Sequence, residues 1–304
     1  MAHAHSQGHH HHHDRQRGQR GLLIALALTL AVFAAEVVGG LAGGSLALLA
    51  DAGHLLADAA ALGLALLAGW MASRPARGRH TFGWQRAEIL AALANGIVLV
   101  LIAAATLFEA ARRLGHPPHV QGGITLAVAA IGLVFNLASG AVLLRAGSGL
   151  NVRAAMRHVL ADAVSSVGVI VAAGAILAFG WRSADPLASI AIAVLILLSA
   201  ASIVRESLDV LLEAAPAGID VQRMGRAMAQ VDGVVEVHDL HVWTVTSGFP
   251  TVAAHITVST ASEPSLVRRR TAEMLRKHFG VEHSTLQVER EGGEQALLQI
   301  KRGV

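Results

Sequence analysis

Six long apolar stretches constrain this chain more than any other feature of its sequence. A helix needs about 20 mostly apolar residues to cross a bilayer. Six segments have that length, namely 22–43, 46–72, 87–111, 122–144, 155–180 and 186–204. The first is too long for the apolar core of a signal peptide, and the glycine-rich stretch 39–44 at its end is not a cleavage motif but favours close helix packing. The sequence therefore predicts six transmembrane helices.

Charge divides the chain into two parts. Residues 1–204 carry 21 charged side chains, whereas residues 205–304 carry 24. This uneven distribution predicts a polar domain attached to the membrane domain. We expect a His-rich N-terminal tail at 1–20, a transmembrane domain at 21–213, a cytoplasmic domain at 214–291 and a C-terminal tail at 292–304.

Composition excludes several classes of site. The chain has 17 histidines and no cysteine, which excludes disulfides, thiolate zinc sites, iron–sulfur clusters and cysteine nucleophiles. Its net charge is only +3, and no clustered basic face appears beyond Arg268–Arg270, so we expect no nucleic-acid binding. A metal site in this protein must use nitrogen and oxygen ligands.

Arginines in the short loops predict the orientation in the membrane. Ten of them precede the first span or lie in the loops after the second and fourth spans, against three in the opposite loops. Positively charged loops stay in the cytoplasm. We therefore expect both termini to be cytoplasmic, in a multi-pass protein of the inner membrane.

A repeated motif supplies the candidate functional residues. The second and fifth spans both contain the pattern H-[LV]-L-A-D-A, which provides His54 with Asp58 and, 104 residues later, His158 with Asp162. A spacing of four places each pair on one helix face. An ionisable residue costs about 2.5–3.5 kcal/mol at the centre of a span by insertion scales.

Two imidazoles and two carboxylates form a complete tetrahedral ligand set for Zn²⁺. The alternative is that each pair is a local hydrogen bond that eases helix packing. Asp51 lies on about the same face and is either a further ligand or a supporting group. Glu36 and Asn136, which are polar residues within the first and fourth spans, are expected to form interhelical hydrogen bonds.

Together with these motifs, several further segments resemble the cation diffusion facilitator family, in its zinc-transporting branch. They are the stretch Ala47–Asp58, the loop His80–Glu88, the approach Asn151–Ala155, Asp185-Pro186, the exit Glu206–Glu213 and the tail segment Val237–Trp243. The resemblance implies a homodimer in the lipid bilayer that exchanges Zn²⁺ for protons. It further implies a charge pair between Arg86 and Glu213, and a loop zinc site that should be absent here because Trp84 replaces a histidine near His80.

Transport explains the membrane motif better than other functions. A metalloenzyme would need a spare acid or base beside its ligands, which only Asp51 offers, and the chain has no H-E-x-x-H motif. A passive channel would be blocked by a tight four-ligand site. Because ligands must lose protons to bind metal, protons and zinc should compete for His54 and His158. We therefore expect a proton-coupled transporter rather than an enzyme.

The sequence pattern predicts that the tail is a small α/β domain of αββαβ order. The family resemblance implies the same domain, similar to copper metallochaperones. Its elements are expected at 218–231, 234–246, 251–259, 263–279 and 284–290, with a turn at 248–250. Candidate ligands for a second Zn²⁺ site are His238, His255, His283 and Glu289; relatives bind zinc at positions that match the first two. The alternative is that these are surface histidines, as expected of His241 and His278.

Seven histidines precede Asp14, at positions 3, 5 and 9–13. They are either a native metal-binding tract or a purification tag.

Overall fold

The computed structural model describes residues 28–72, 74–145 and 150–291. Five of its helices are long and apolar enough to cross a membrane, and a shorter apolar helix precedes them. The helices are α1 (Leu28–Gly43), α2 (Leu46–Ala72), α3 (Ala87–Gly115), α4 (Gly122–Arg145), α5 (Leu150–Phe179) and α6 (Ala184–Leu211). The predicted start of the first span at residue 22, the N-terminal histidine tract and the C-terminal tail lie outside the described residues.

Some helices extend beyond the apolar stretches that predicted them. The last membrane helix, α6, continues from residue 204 to Leu211 through Arg205 and Glu206, and α5 begins at Leu150 although its spanning part begins at Val159. Hydropathy detects only the length that lies in lipid. A helix keeps its own backbone hydrogen bonds on either side of that boundary, so the apolar stretch underestimates its length.

Small residues allow the membrane helices to approach closely. The core of this part contains many alanines, including Ala47, Ala103, Ala193 and Ala200, none of which is exposed. At Gly39 of α1, a Cβ atom would lie only 2.6 Å from a methyl carbon of Val128 in α4. Interfaces between helices in lipid are enriched in such residues because there is little hydrophobic gain from burying larger ones.

Buried polar groups also connect the membrane helices. Asp185, at the start of α6, accepts hydrogen bonds from the Ser45 hydroxyl (2.5 Å) and from the Leu46 backbone N–H (2.8 Å), and so caps the first turn of α2. It is 1% exposed. Asn136 in α4 donates a hydrogen bond to Ser166 in α5 (3.4 Å), which confirms the predicted interhelical hydrogen bond of Asn136. The start of α2 needs the hydrogen bond to Asp185 because the first N–H groups of a helix have no partner within that helix.

The tail has the predicted αββαβ order. It consists of α7 (Val221–Ala229), β1 (Val234–Thr244), β2 (Pro250–Val258), α8 (Pro264–Phe279) and β3 (His283–Arg290). Strand β2 is central, antiparallel to β1 and parallel to β3. Helix α7 is shorter than the predicted 218–231 because the Asp220 side chain caps it by accepting from the Arg223 N–H (3.0 Å).

One face of the sheet is buried and the other is not. Val252, Ala254, Ile256 and Val258 of β2 pack with methionines of α7 and with Leu275 of α8. The residues between them along the strand point to the opposite face, because side chains alternate along a strand. That opposite face carries His255, which is only half-buried.

Contacts group the end of α2, the loop after it and the start of α3 with the tail. Among the described residues, 67–91 and 205–291 form one compact unit, and the remaining membrane residues form the other. Within the first of these units, Thr246 donates a hydrogen bond to Glu88 (2.8 Å). The His283 ring also lies between Phe82 (centroid distance 6.1 Å) and Phe249 (5.8 Å).

Candidate metal centres

The first candidate centre lies within the membrane helices. His54 Nε2 is 3.4 Å from Asp58 Oδ2, one turn further along α2, and 3.6 Å from Asp162 Oδ1 on α5. One ligand atom from each residue lies within 4.8 Å of the others. The structure thus brings three of the four predicted ligands together from two helices.

These three side chains are mostly shielded from solvent. Their side-chain exposures are 14% for His54, 19% for Asp58 and 8% for Asp162. Two carboxylates this close within a membrane repel each other unless positive charge lies between them. A divalent cation bound by imidazole nitrogen and carboxylate oxygen supplies that charge, and zinc accepts both ligand types.

The fourth predicted ligand is His158. Its backbone lies in α5, four residues before Asp162, while its side chain lies outside the described residues. Its spacing from Asp162 matches that of His54 from Asp58.

Asp51 lies beside the first centre but is not one of its clustered donors. It is 3% exposed and interacts with Glu36 of α1 and with Ser165 of α5. Glu36 is itself 1% exposed and lies against Gly132 of α4, where a Cβ atom would be 3.2 Å from its Oε1. Glu36 Oε2 has no hydrogen-bond partner among the described residues, so the interhelical hydrogen bond expected of Glu36 is not seen at that atom.

The second candidate centre lies on the open face of the tail sheet. His238 of β1 is paired directly with His255 of β2, and their ring centroids are 5.3 Å apart. Glu289 of β3 lies 3.3 Å from His255 Nδ1 and 4.0 Å from His238 Nε2. One ligand atom from each of these three residues lies within 4.8 Å of the others.

The environment of His238 fits a metal ligand. Its Nδ1 atom is buried and has no hydrogen-bond partner among the described residues. A buried polar atom without a partner is costly. Coordination of a metal through Nδ1 would satisfy this requirement, and the donor set of two imidazoles and a carboxylate is one that zinc accepts.

Asp239 is a neighbour of this centre that the sequence analysis did not single out. It has a positive φ of 51° at an irregularity in the β1–β2 pairing, and its Oδ2 lies 3.8 Å from His255 Nε2. A hydrogen bond with His241 (2.8 Å) holds the pKa of the Asp239 carboxyl below its usual range, and the nearby His255 and His238 lower it further. The signal available in the sequence was the pair of histidines that flank it.

His283 lies away from the second centre. It begins β3 and is paired with Thr251, whereas Glu289 is six residues, or about 20 Å, further along the strand. Instead, His283 contacts the two phenylalanine rings described above. His80 stacks on Trp84 at a centroid distance of 4.3 Å, which is an aromatic contact at the place where the resemblance led us to expect no loop zinc site.

The predicted charge pair is present in the structure. Arg86 donates a hydrogen bond to Glu213 through Nη2 (2.8 Å), and both side chains are partly exposed. This ion pair joins the residue before α3 to the residue at position 213, just beyond the end of α6.

Known proteins resemble the chain over almost its full length. Residues 22–212 match the family described as the cation efflux transmembrane domain, and residues 216–291 match the cation efflux protein cytoplasmic domain. The cadmium, cobalt and zinc/H⁺-K⁺ antiporter of Bacillus subtilis is 39% identical, over 96% of this chain and 93% of its own. The zinc transporter ZitB of Escherichia coli is 42% identical, over 95% of this chain and 93% of its own.

A solved structure is also similar to part of the chain. It is the metal-bound C-terminal domain of the CzcD transporter from Cupriavidus metallidurans, with 32% identity, a TM-score of 0.23, and coverage of 23% of this chain and 99% of that one. The family matches and the two full-length relatives establish what kind of protein this is. The chain is a multi-pass membrane protein of the cation efflux family, a family of transporters and not of enzymes.

Proposed function

We propose that this protein exports Zn²⁺ from the cytoplasm in exchange for protons, through a tetrahedral site formed by His54, Asp58, His158 and Asp162. The observation that carries the proposal is the convergence of three of these residues from α2 and α5. Relatives of similar length that are named as zinc transporters or zinc-transporting antiporters support the choice of ion.

The composition of the site suits an ion that is carried rather than one that catalyses. Four protein ligands fill the tetrahedral shell of zinc and leave no position for a reacting water. Asp51, the group that could have served as a spare acid or base, is not one of the clustered donors. Binding sites at helix interfaces near the bilayer centre are typical of alternating-access transporters.

Protons are the proposed counter-substrate because they compete for the same atoms. Imidazole and carboxylate ligands bind metal only when deprotonated. A site that opens to the more acidic side therefore takes up protons and releases zinc, and a site that opens to the cytoplasm does the reverse. The antiporter name of the Bacillus relative supports this coupling.

We also propose the placement and assembly of the chain. The match of residues 216–291 to a cytoplasmic domain, together with the arginine-rich loops, supports cytoplasmic termini in the inner membrane. That family model is named for dimerisation, which supports a homodimer. We retain the four segments 1–20, 21–213, 214–291 and 292–304 as the proposed domain organisation.

In the tail, we propose that His238, His255 and Glu289 hold a resident Zn²⁺. Such an ion would bind one side chain from each of the three strands on the open face of the sheet. Asp239 is placed to complete the ligand shell or to orient His255. His283 is not part of this proposed site, because it lies about 20 Å along β3 from Glu289.

Zinc uptake into vesicles tests the transport proposal. Protein reconstituted in liposomes that contain a zinc-sensitive dye should accumulate zinc only when a pH gradient is imposed, and Asp162→Ala should abolish accumulation. Asp232→Ala is the matched control because it removes an almost fully exposed carboxylate from the tail. Uptake by Asp162→Ala at the parental rate, or uptake that ignores collapse of the pH gradient, would contradict the proposal.

A further inference from the structure

The loop between α2 and α3 carries more positive charge than its contacts neutralise. It contains Arg74, Arg77, Arg79 and Arg86. Arg86 pairs with Glu213. Within the described ranges, the other three guanidinium groups form no ion pair with a carboxylate. Their charge is thus available to an anion from outside the chain.

This loop has a defined conformation. Arg77 and His80 form an isolated β-bridge, closed by a hydrogen bond from the His80 N–H to the Arg77 carbonyl (3.2 Å), with Gly78 at a φ of 57° in the turn. Gly83 packs against the backbone of Arg74, so that a Cβ atom at residue 83 would be 3.5 Å from that carbonyl oxygen. The fold of the loop thus places Trp84 beside the two arginines at 74 and 77.

These residues enclose a small cavity. It has a volume of about 370 Å³ and is lined by Arg74, Pro75, Arg77 and Trp84. The Arg74 guanidinium carbon also lies 3.9 Å above the ring of Trp70. Two guanidinium groups and an indole ring therefore surround a space large enough for a compact anionic group.

The cavity adjoins the end of a membrane-spanning helix. Trp70 lies in the last turn of α2 and is 56% exposed, and Trp84 is 43% exposed. Tryptophans at the ends of spanning helices favour the boundary between acyl chains and water. The cavity therefore lies at the level of lipid headgroups rather than in bulk solvent.

We propose that this cavity binds the phosphate group of an anionic phospholipid, in the leaflet on the same side as the tail domain. Guanidinium groups bind phosphate through paired hydrogen bonds. Arginines near an anionic leaflet also gain from its surface potential. Continuity with α2 selects a lipid over a soluble phosphate, because the two tryptophans place the site where headgroups are concentrated.

Lipid titration of the purified full chain in a neutral detergent, followed by native mass spectrometry, tests the proposal. Phosphatidylglycerol should bind at one site per chain with higher affinity than phosphatidylcholine. Arg74→Gln/Arg77→Gln should weaken that site by roughly fivefold for each arginine. Arg74→Lys/Arg77→Lys keeps the charge but not the paired geometry, and should weaken it less.

Arg79→Gln is the matched control, since it removes one charge from the same loop without altering the lining of the cavity. It should change the affinity less than twofold. Equal binding of the two lipids, or an Arg79→Gln effect per charge as large as that of the double variant, would overturn the proposal. Displacement of phosphatidylglycerol by inorganic phosphate at comparable concentration would also overturn it, because the occupant would then be a soluble anion.

Discussion

The two candidate metal centres use similar ligands but are held together in different ways. His238, His255 and Glu289 lie on three neighbouring strands, and backbone hydrogen bonds fix the register of those strands. Asp162 reaches His54 only because α5 packs against α2. No backbone hydrogen bond joins these two helices among the described residues. The distance between the membrane ligands is thus set by helix packing, and that of the tail ligands by a sheet.

This difference indicates different tasks. A sheet keeps its ligands at fixed separation unless it unfolds, which suits an ion that stays bound. Helices packed through alanine and glycine can shift relative to one another without breaking their own hydrogen bonds. A site shared between such helices can change its affinity when they move, and a transported ion has to be released.

The largest effect is expected when one histidine of each centre is replaced by glutamine, in two separate variants that are then compared. His54→Gln removes a ligand from the membrane centre and should reduce zinc transport by more than about 100-fold, since even loss of an outer partner of a metal ligand costs 10–100-fold. His255→Gln should leave the rate of zinc transport within about threefold of the parental rate. It should also remove one bound zinc per chain, because the two remaining ligands, His238 and Glu289, are too few to fill the four-coordinate shell of zinc. Vesicle uptake and metal analysis of the purified chains give both quantities.

The comparison fails if both variants lose transport equally. It also fails if His255→Gln retains the full zinc content of the parent. Asn136→Ala is a useful control for the membrane variant, because it removes a polar contact between α4 and α5 without removing a candidate ligand.

Two periodic patterns in the sequence led to the predicted membrane ligands and to the predicted tail fold: the helical spacing of four residues and the alternation of side chains along strands. A spacing of four places His54 beside Asp58 whatever the rest of the chain does, and alternation along β1 and β2 allows His238 to face His255. Asp162 joins them through packing between distant helices, which the repeat suggested but no local rule requires. Because side chains alternate along β3, His283 and Glu289 lie on the same face of the sheet. Only the register between β2 and β3 shows that Glu289 lies near His255 and that His283 does not.

The pairing of Glu36 with Asp51 could not have been predicted in the same way. In the sequence, each of these two residues is a single polar residue within an apolar span, and nothing in the sequence links one to the other. Their proximity depends on the rotation of α1 about its axis, and Gly39 of the same helix approaches Val128 of α4 closely. Steric fit between helices of this kind has no signature in hydropathy.

An intermediate effect is expected at the charge pair that joins the start of α3 to the end of α6. Glu213→Arg places two arginines in contact and should slow zinc transport several-fold, because the positions of helix ends influence a site held by helix packing. It should leave the zinc content of the tail unchanged. Exposed ion pairs contribute only about 0–1 kcal/mol to stability, so the effect should appear in transport rather than in unfolding.

The swapped variant Arg86→Glu/Glu213→Arg is the matched control, since it restores opposite charges at the same positions. Transport should recover to near the parental rate. If the swap stays as slow as the single variant, the pair acts through something other than its charge. If Glu213→Arg lowers tail zinc as well, the two centres are less independent than their architectures indicate.

The smallest expected effect concerns the electrostatics of the tail centre alone. The hydrogen bond from His241 holds the pKa of the Asp239 carboxyl below its usual range, so His241→Ala should raise that pKa toward the usual value of about 3.9. A carboxyl whose pKa is lower in the folded state stabilises the fold above the unfolded-state pKa, and this contribution disappears as the pH falls through the folded-state value. The variant should therefore be slightly less stable than the parent at every pH above about 4, including neutral pH, and this difference should disappear as the pH falls below the folded-state pKa of Asp239. A carboxyl ¹³C titration of the metal-free chain measures the pKa directly, and His278→Ala, which alters an exposed histidine of α8, should leave it unchanged.

An Asp239 pKa that does not move in His241→Ala would mean that His255 and His238 dominate its environment. Asp239 would then be coupled electrostatically to two ligands of the tail centre rather than to His241.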